Sequence, residues 1–235
     1  MSENLRLGHI GLVCFVADPF DPPGHERYGG GHLFIFDLGR FLVQNGYQVS
    51  FFTRKNSSHK PSFDRLGPMC SIFRLAVGAP EELSPAMVGS LVDELANSFE
   101  ATIIEEKLQF TALHSHYWIA GEVVRRFCAK NQLRQIHSVL SLGRVNREKG
   151  ESRNASSDVR EQCEIDVMNS AAAIIVVCPS ERADVERLYP EIDSSRIHTI
   201  PYGVDPDVFY PRPQSESDFV RRQTVGFPKG PTAIS

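Results

Sequence analysis

Short apolar runs that alternate with segments of helical periodicity constrain this chain more than any other feature. The first run, Leu7 to Ala17, has the length of a buried parallel strand. About a dozen residues later come the consecutive glycines Gly29, Gly30 and Gly31, and then Leu33, Phe36, Leu38, Phe41 and Leu42 at roughly helical spacing. The glycines therefore stand between a strand with its polar loop and the opening turn of a helix. Unpaired N–H groups of such a turn carry partial positive charge, and glycines let a phosphate or sugar approach the backbone. Glycines that only let the chain turn would leave the same pattern, so the cluster alone assigns no function.

The alternation continues. Asn45-Gly46 signals the end of the first helix, and Tyr47 to Thr53 reads as a second strand. Arg54 to Pro68 reads as an exposed polar loop and Ile72 to Val77 as a third strand. Ser84 caps and Pro85 opens one long helix through Leu91, Leu95, Phe99 and Ile103. Strands are expected at Ala112 to Ser115, Ile136 to Ser141, Ala172 to Cys178 and Ile197 to Ile200. Between them lie helices from Ile119 to Lys130, from Asp158 to about Ser170, and from a Ser180 cap to Leu188; Gly143 to Ser157 reads as a loop. This order implies an α/β fold with a mostly parallel sheet covered on both faces. Ligands in such folds bind at the carboxyl ends of the strands. The segments to inspect are Asp18 to His32, Thr53-Arg54, His116-Tyr117-Trp118, Ser141 to Arg144 and Pro179-Ser180.

Composition narrows the function. A chain of 235 residues with 41% hydrophobic residues can build one large or two small globular domains. A net charge of −4 and a pI near 6.1, with basic residues in pairs such as Arg125-Arg126 and Arg221-Arg222, point away from nucleic acid and acidic membranes. The five cysteines form no C-x-x-C pair, and Cys14 and Cys178 lie in apolar runs, which suits small buried residues in a reducing compartment. The first apolar run stops at Asp18, too early for a membrane span, and a soluble cytoplasmic protein is expected.

A nicotinamide-binding Rossmann domain needs G-x-G-x-x-G tight against the first strand and an acidic residue ending the second. Here the glycines come late and the second strand ends Phe52-Thr53-Arg54, so both requirements fail. His114 and His116 share a face of an extended chain and could hold a metal, but no third ligand is evident. Alternatively His116 and Tyr117 form the floor of a sugar site, with Trp118 read as core.

Taken together, the motifs resemble the N-terminal domain of the family 4 retaining glycosyltransferases of the GT-B fold, nearest the sucrose-phosphate synthase and mycothiol glycosyltransferase branch. Gly29-Gly30 resembles that branch's Gly-Gly loop, and Thr53-Arg54 its strand end Tyr-Thr-Arg. His114-Ser115-His116-Tyr117-Trp118-Ile119-Ala120-Gly121 is similar to its H-S-H-Y-W-x-S-G, and Leu142-Gly143-Arg144 to its S-L-G-R. Arg160 with Glu164 resembles its R-x-x-x-E helix, and Ile200 to Pro211 its I-P-N-G-V-D-x-x-x-F-x-P.

The resemblance implies a Rossmann-like GT-B N-terminal domain over 1–212, with 213–235 as linker and the start of a donor-binding domain that the sequence does not contain. It implies transfer of a glycosyl unit, with retention, from a nucleotide-diphosphate sugar to a hydroxyl of a small-molecule acceptor, without an obligatory metal or other cofactor. The implied acceptor is a sugar, a cyclitol or a natural product, and a separate C-terminal domain would be the partner. Substrate contacts carried over are Gly29, Gly30, Gly31 and His32, then His116, Tyr117, Ser141, Arg144 and Arg160, with Arg160→Ala expected to weaken acceptor binding and spare stability. The family's H-T-x-H, whose second histidine contacts the donor sugar, is here His137-Ser138-Val139-Leu140. Loss of that contact is worth roughly 10²–10³ in rate if it acts like other positioned donors. The phosphate-binding lysine of inositol-phosphate users is replaced by Pro85, which argues against a phosphorylated acceptor. A non-catalytic ligand-binding subunit is the alternative, and a sugar-nucleotide epimerase fits Ile200 to Pro211 less well.

Overall fold

The computed structural model describes residues 7–21, 30–152, 154–204, 206, 210–211 and 213. The chain divides into two units, Met1–Tyr202 and Gly203–Ser235, and the elements below belong to the first. The strands are β1 (His9–Val13), β2 (Gln48–Arg54), β3 (Phe63–Gly67), β4 (Cys70–Leu75), β5 (Ala112–His116), β6 (Gln135–Ser138), β7 (Ala173–Val176) and β8 (Ile197–Thr199). They form one sheet in the order β3-β4-β2-β1-β5-β6-β7-β8, parallel except for the β3–β4 pair.

The central strands are apolar on both sides because both faces are covered. Leu12, Phe51 and Ile72 pack with Ile35 of α1 (Gly30–Gln44). Their neighbours Val13, Phe52 and Phe73 point the other way, onto Leu95 and Phe99 of α3 (Val92–Glu105) and Ile119 and Val123 of α4 (Tyr117–Asn131). Helix α1 lies close to the sheet because position 39 lacks a side chain: a Cβ there would sit 2.1 Å from Phe51 Cζ. The helix stops at Asn45-Gly46, where Gly46 adopts φ +86°, as expected from the sequence.

Four local expectations are corrected. The presumed loop Arg54 to Pro68 contains β3, an exposed antiparallel edge strand with no buried face to betray it by alternation. Arg54 and Asn56 in the same stretch are buried. The long helix after Ser84 is two helices, α2 (Pro85–Gly89) and α3; the Ser84 hydroxyl does accept the Met87 N–H. Val88, Leu91 and Val92 all face the core, so apolar spacing runs through the break and hides it. The stretch from Gly143 holds a short helix, α5 (Gly143–Glu148). In α7 (Pro179–Leu188), Cys178 is the capping residue and Ser180 lies in the first turn. Helix α6 (Ala155–Ser170) begins at a capping box between Asn154 and Ser157. The cysteines are free thiols; Cys14 and Cys128 are buried, whereas Cys70, Cys163 and Cys178 are partly exposed. Among the described residues no helix is long and apolar enough to cross a membrane.

Candidate functional site

Chain order in the sheet reverses at β1: β2 and β4 follow on one side, β5 to β8 on the other. Connections leave in opposite directions there and open a crevice at the carboxyl ends of β1 and β5. The first turn of α1, from Gly30, lies on one side of it, with helix N–H groups that have no intrahelical acceptor. Phe34 of that turn meets the His116 ring edge-on at 6.1 Å between centroids. Leu140, just after β6, lies against Gly31: a Cβ on that glycine would be 3.6 Å from Leu140 Cδ1.

Two side-chain-bearing residues at these strand ends hold left-handed backbone, Tyr117 at φ +71° and Leu140 at φ +58°. Leu140 is the middle of a three-residue turn closed by the Ser141 N–H on the Val139 carbonyl at 2.8 Å. Each such conformation costs on the order of 1–3 kcal/mol and persists only where its surroundings impose it.

Beside that turn a buried carboxylate organises the wall. Glu164 of α6 is 3% exposed and accepts the Gly143 N–H on both oxygens at 3.0 Å. It also accepts Arg160 Nε at 2.8 Å and the Tyr189 hydroxyl. Arg160 then donates from Nη2 to Ser141 Oγ at 3.0 Å, and its guanidinium lies 5.3 Å from the Tyr117 ring centroid. Burial disfavours the charge on Arg160, but the Glu164 carboxylate outweighs it and the pKa rises. Burial and Glu164 together push the Tyr189 hydroxyl up, so it remains a donor. Tyr189 in turn accepts the Arg144 N–H at 3.2 Å. The Arg144 guanidinium packs over the Tyr189 ring at 4.5 Å and pairs with Glu191 at 3.1 Å and Glu161 at 3.6 Å.

The histidines are interior groups. His114 Nε2 lies 2.8 Å from Ser138 Oγ, and His137 Nδ1 lies 2.9 Å from Ser115 Oγ. His116 is fully buried, its ring 4.2 Å from that of His114, and neither of its nitrogens has a partner among the described residues. Burial pulls His114 down to about 4 and His137 to about 3, and holds His116 well below its ordinary value. Among the described residues no group of three or more His, Cys, Asp or Glu gathers as a metal site.

On the far side of α1's first turn a polar network fixes the loops that follow β1, β2 and β4. Asp18 is fully buried and accepts Arg74 Nε at 2.6 Å, Lys60 Nζ at 3.0 Å and the Phe20 N–H at 2.9 Å. Burial works against its charge, yet these donors hold the carboxyl below its usual range. Lys60 also pairs with Asp21, and Asn56 bridges Asp21 and Glu82 at 2.9 and 2.5 Å. His32 sits near Asp21 and Glu82; burial lowers its pKa although both carboxylates oppose this.

Of the residues singled out from sequence, Tyr117, Ser141 and Arg160 come together, with Gly31 close by through Leu140. Gly30 begins α1, and His32 follows in its first turn. Arg144 has its own partners on α6 and beyond α7, and His116 is sealed beneath Phe34. Gly29, with Asp205 and 207–209 of the last motif, lies outside the described residues. Trp118 is core, as read. Sequence reasoning missed Tyr189, which carries no motif, and the Asp18–Lys60–Arg74 network, whose members are far apart in the chain. An apolar cavity of about 240 Å³ lined by Phe20, Phe36, Val43, Phe51 and Leu66 lies beneath α1, away from the polar cluster.

A family model described as Glycosyltransferase Family 4 matches residues 28–208. The D-inositol 3-phosphate glycosyltransferase of Xylanimonas cellulosilytica is 26% identical over 231 residues, which are 95% of this chain and 54% of that protein. A D-inositol 3-phosphate glycosyltransferase of Catenulispora acidiphila is 28% identical over 223 residues, 93% of this chain and 51% of that protein. The chain thus spans about half the length of the curated relatives it matches. Sucrose-phosphate synthase from Thermosynechococcus elongatus superposes with a TM-score of 0.81 at 24% identity, over 94% of this chain and 53% of that one. The starch synthase IV catalytic domain of Arabidopsis thaliana bound to ADP and acarbose gives 0.62 at 10% identity, over 88% and 53%. These likenesses concern the fold.

Proposed function

This chain belongs to glycosyltransferase family 4, and from that membership we propose that it forms the acceptor-side half of an enzyme moving a glycosyl unit from a nucleotide-diphosphate sugar to a hydroxyl of a small molecule, with retention. One observation supports the reading: Arg160, Ser141 and Tyr117 contact one another after the carboxyl ends of β5 and β6, beside Leu140, which lies against Gly31 of the first turn of α1. The first-turn N–H groups of α1 suit the donor's diphosphate. The Arg160 fork and the hydroxyls of Ser141 and Tyr117 suit a polyol, which they would orient so that one hydroxyl faces the sugar carbon. We further propose that 213–235 leads toward a second, nucleotide-binding domain.

Release of nucleoside diphosphate by the full-length protein, measured over a panel of nucleotide sugars and polyols, tests this. Turnover is expected from the full-length protein and none from the isolated 235 residues. Ser141→Ala, which breaks no buried ion pair, is expected to raise the acceptor KM up to about tenfold, the worth of one hydrogen bond between neutral groups. Binding of polyol without turnover under any donor would favour the non-catalytic reading, for which the apolar Leu140 at the crevice is the structural motive.

A further inference from the structure

Three histidines lie together behind the crevice, and one differs from the other two. His114 Nε2 meets Ser138 Oγ at 2.8 Å, and His137 Nδ1 meets Ser115 Oγ at 2.9 Å. His116 is the most deeply buried of the three, at 0% exposure, yet among the described residues neither of its nitrogens has a hydrogen-bond partner. A polar ring that gives up its hydration for nothing weakens the fold, so packing alone does not explain an imidazole here. What seals it is a line of rings. Phe34 meets the His116 ring edge-on at 6.1 Å, and Tyr202 stacks on Phe34 at 4.3 Å with 29° between the planes. Exposure rises outward along that line, from 0% at His116 through a half-buried Phe34 to 37% at Tyr202. Phe34 belongs to the start of α1, whose first residues, Gly30 and Gly31, have the low helix propensity that lets a turn open. Tyr202 follows β8 and is the last residue of the first unit. It stands where the resembled I-P-N-G-V-D motif has asparagine, which has no ring to stack.

We infer that His116 is the floor of a covered binding site for a ligand hydroxyl, with Phe34 as the cover and Tyr202 as the clasp that holds the cover down. The identity of the ligand, a polyol or a glycosyl unit, rests on the glycosyltransferase reading; the cover and clasp do not. A hydroxyl is the matching group because a neutral imidazole has one donor and one acceptor nitrogen, and a hydroxyl both gives and takes. The neighbouring imidazoles are already matched in this way, each by a serine. An anion would favour the charged ring, which burial opposes. Entry requires Phe34 to swing off the imidazole, after which it rests on the ligand. Because Tyr202 sits where the chain leaves the first unit, displacement of that segment unstacks it and frees Phe34. The arrangement also accounts for a residue that the motifs single out as a substrate contact and the fold shuts away.

The test is the rate at which diethyl pyrocarbonate acylates each histidine of the full-length protein, mapped by mass spectrometry. In the wild type His116 is expected to react far more slowly than the exposed His59 and His198. Tyr202→Ala is expected to speed the reaction at His116 about tenfold, what one lost aromatic pair is worth in the population of the open form. Tyr202→Phe, which keeps the stack, is expected to match the wild type. His137, 2% exposed and not under Phe34, serves as the control for loss of structure. No acceleration at His116 overturns the cover and clasp, as does an acceleration that His137 shares. Repeating the Tyr202→Ala reaction with each polyol of the panel at saturation tests the ligand: slowing at His116 by at least one supports the assignment, and slowing by none overturns it. The glycosyltransferase reading fails separately, by absence of turnover with every donor and polyol; turnover without any slowing at His116 would sink the inference and leave that reading intact.

Discussion

At the residue scale, the proximity of Tyr117, Ser141 and Arg160 was half legible. Tyr117, Ser141 and Arg160 stand in recognisable motifs, so they could be singled out before their contacts were known. What the motifs did not carry is how each is held. Arg160 was read as a binding residue whose removal spares stability, yet it is the ion partner of a buried carboxylate. Breaking such a pair by removing one member costs roughly 3–5 kcal/mol, so Ser141→Ala is the cleaner probe. The left-handed conformations of Tyr117 and Leu140 and the reach of Tyr189 depend on tertiary packing and leave no local trace. The buried histidines give a prediction at this scale. His114, His116 and His137 are neutral in the fold, with pKa values held far below the ordinary value near 6.5. The unfolded chain therefore binds more protons below that value, and stability falls as pH falls. By pH 5 the loss is on the order of 2 kcal/mol per histidine. Denaturant unfolding between pH 7.5 and 5 measures it; a flat profile would mean that the three rings are not buried neutral.

At the element scale, strands with two covered faces announced themselves, because Leu12-Val13, Phe51-Phe52 and Ile72-Phe73 fill both layers at once. Elements without such a signal were missed. Strand β3 is exposed along most of its length, and α5 owes its start to Glu164 taking the Gly143 amide, a contact across 21 positions of sequence. The glycine helix is the element on which the site depends most. Its approach to the sheet requires Gly39, since an added Cβ would collide with the buried Phe51 ring at 2.1 to 3.0 Å. Gly39→Ala is expected to destabilise by about 1–3 kcal/mol, despite the better helix propensity of alanine, because the core must be overpacked to accept it. Thermal unfolding checks this; a variant as stable as wild type would show that α1 can move outward freely, and would weaken the case that it is a fixed wall.

For the first unit as a whole, the sheet order places a single change of direction at β1, between β2 and β5, and Tyr117 and Ser141 follow the carboxyl ends of β5 and β6. The alternation and a mostly parallel sheet were readable; the strand order was not, nor was the contact of the 139–141 turn with the start of α1, since these join segments far apart in sequence. The central claim is that the first turn of α1 and the 140–144 turn face one shared site. Hydrogen–deuterium exchange of the full-length protein, with and without nucleoside diphosphate plus polyol, measures it most directly. The account predicts that residues 31–34 and 140–144 gain protection together. Protection confined to one of these segments, or appearing instead around Phe20, Phe36 and Phe51, would contradict it.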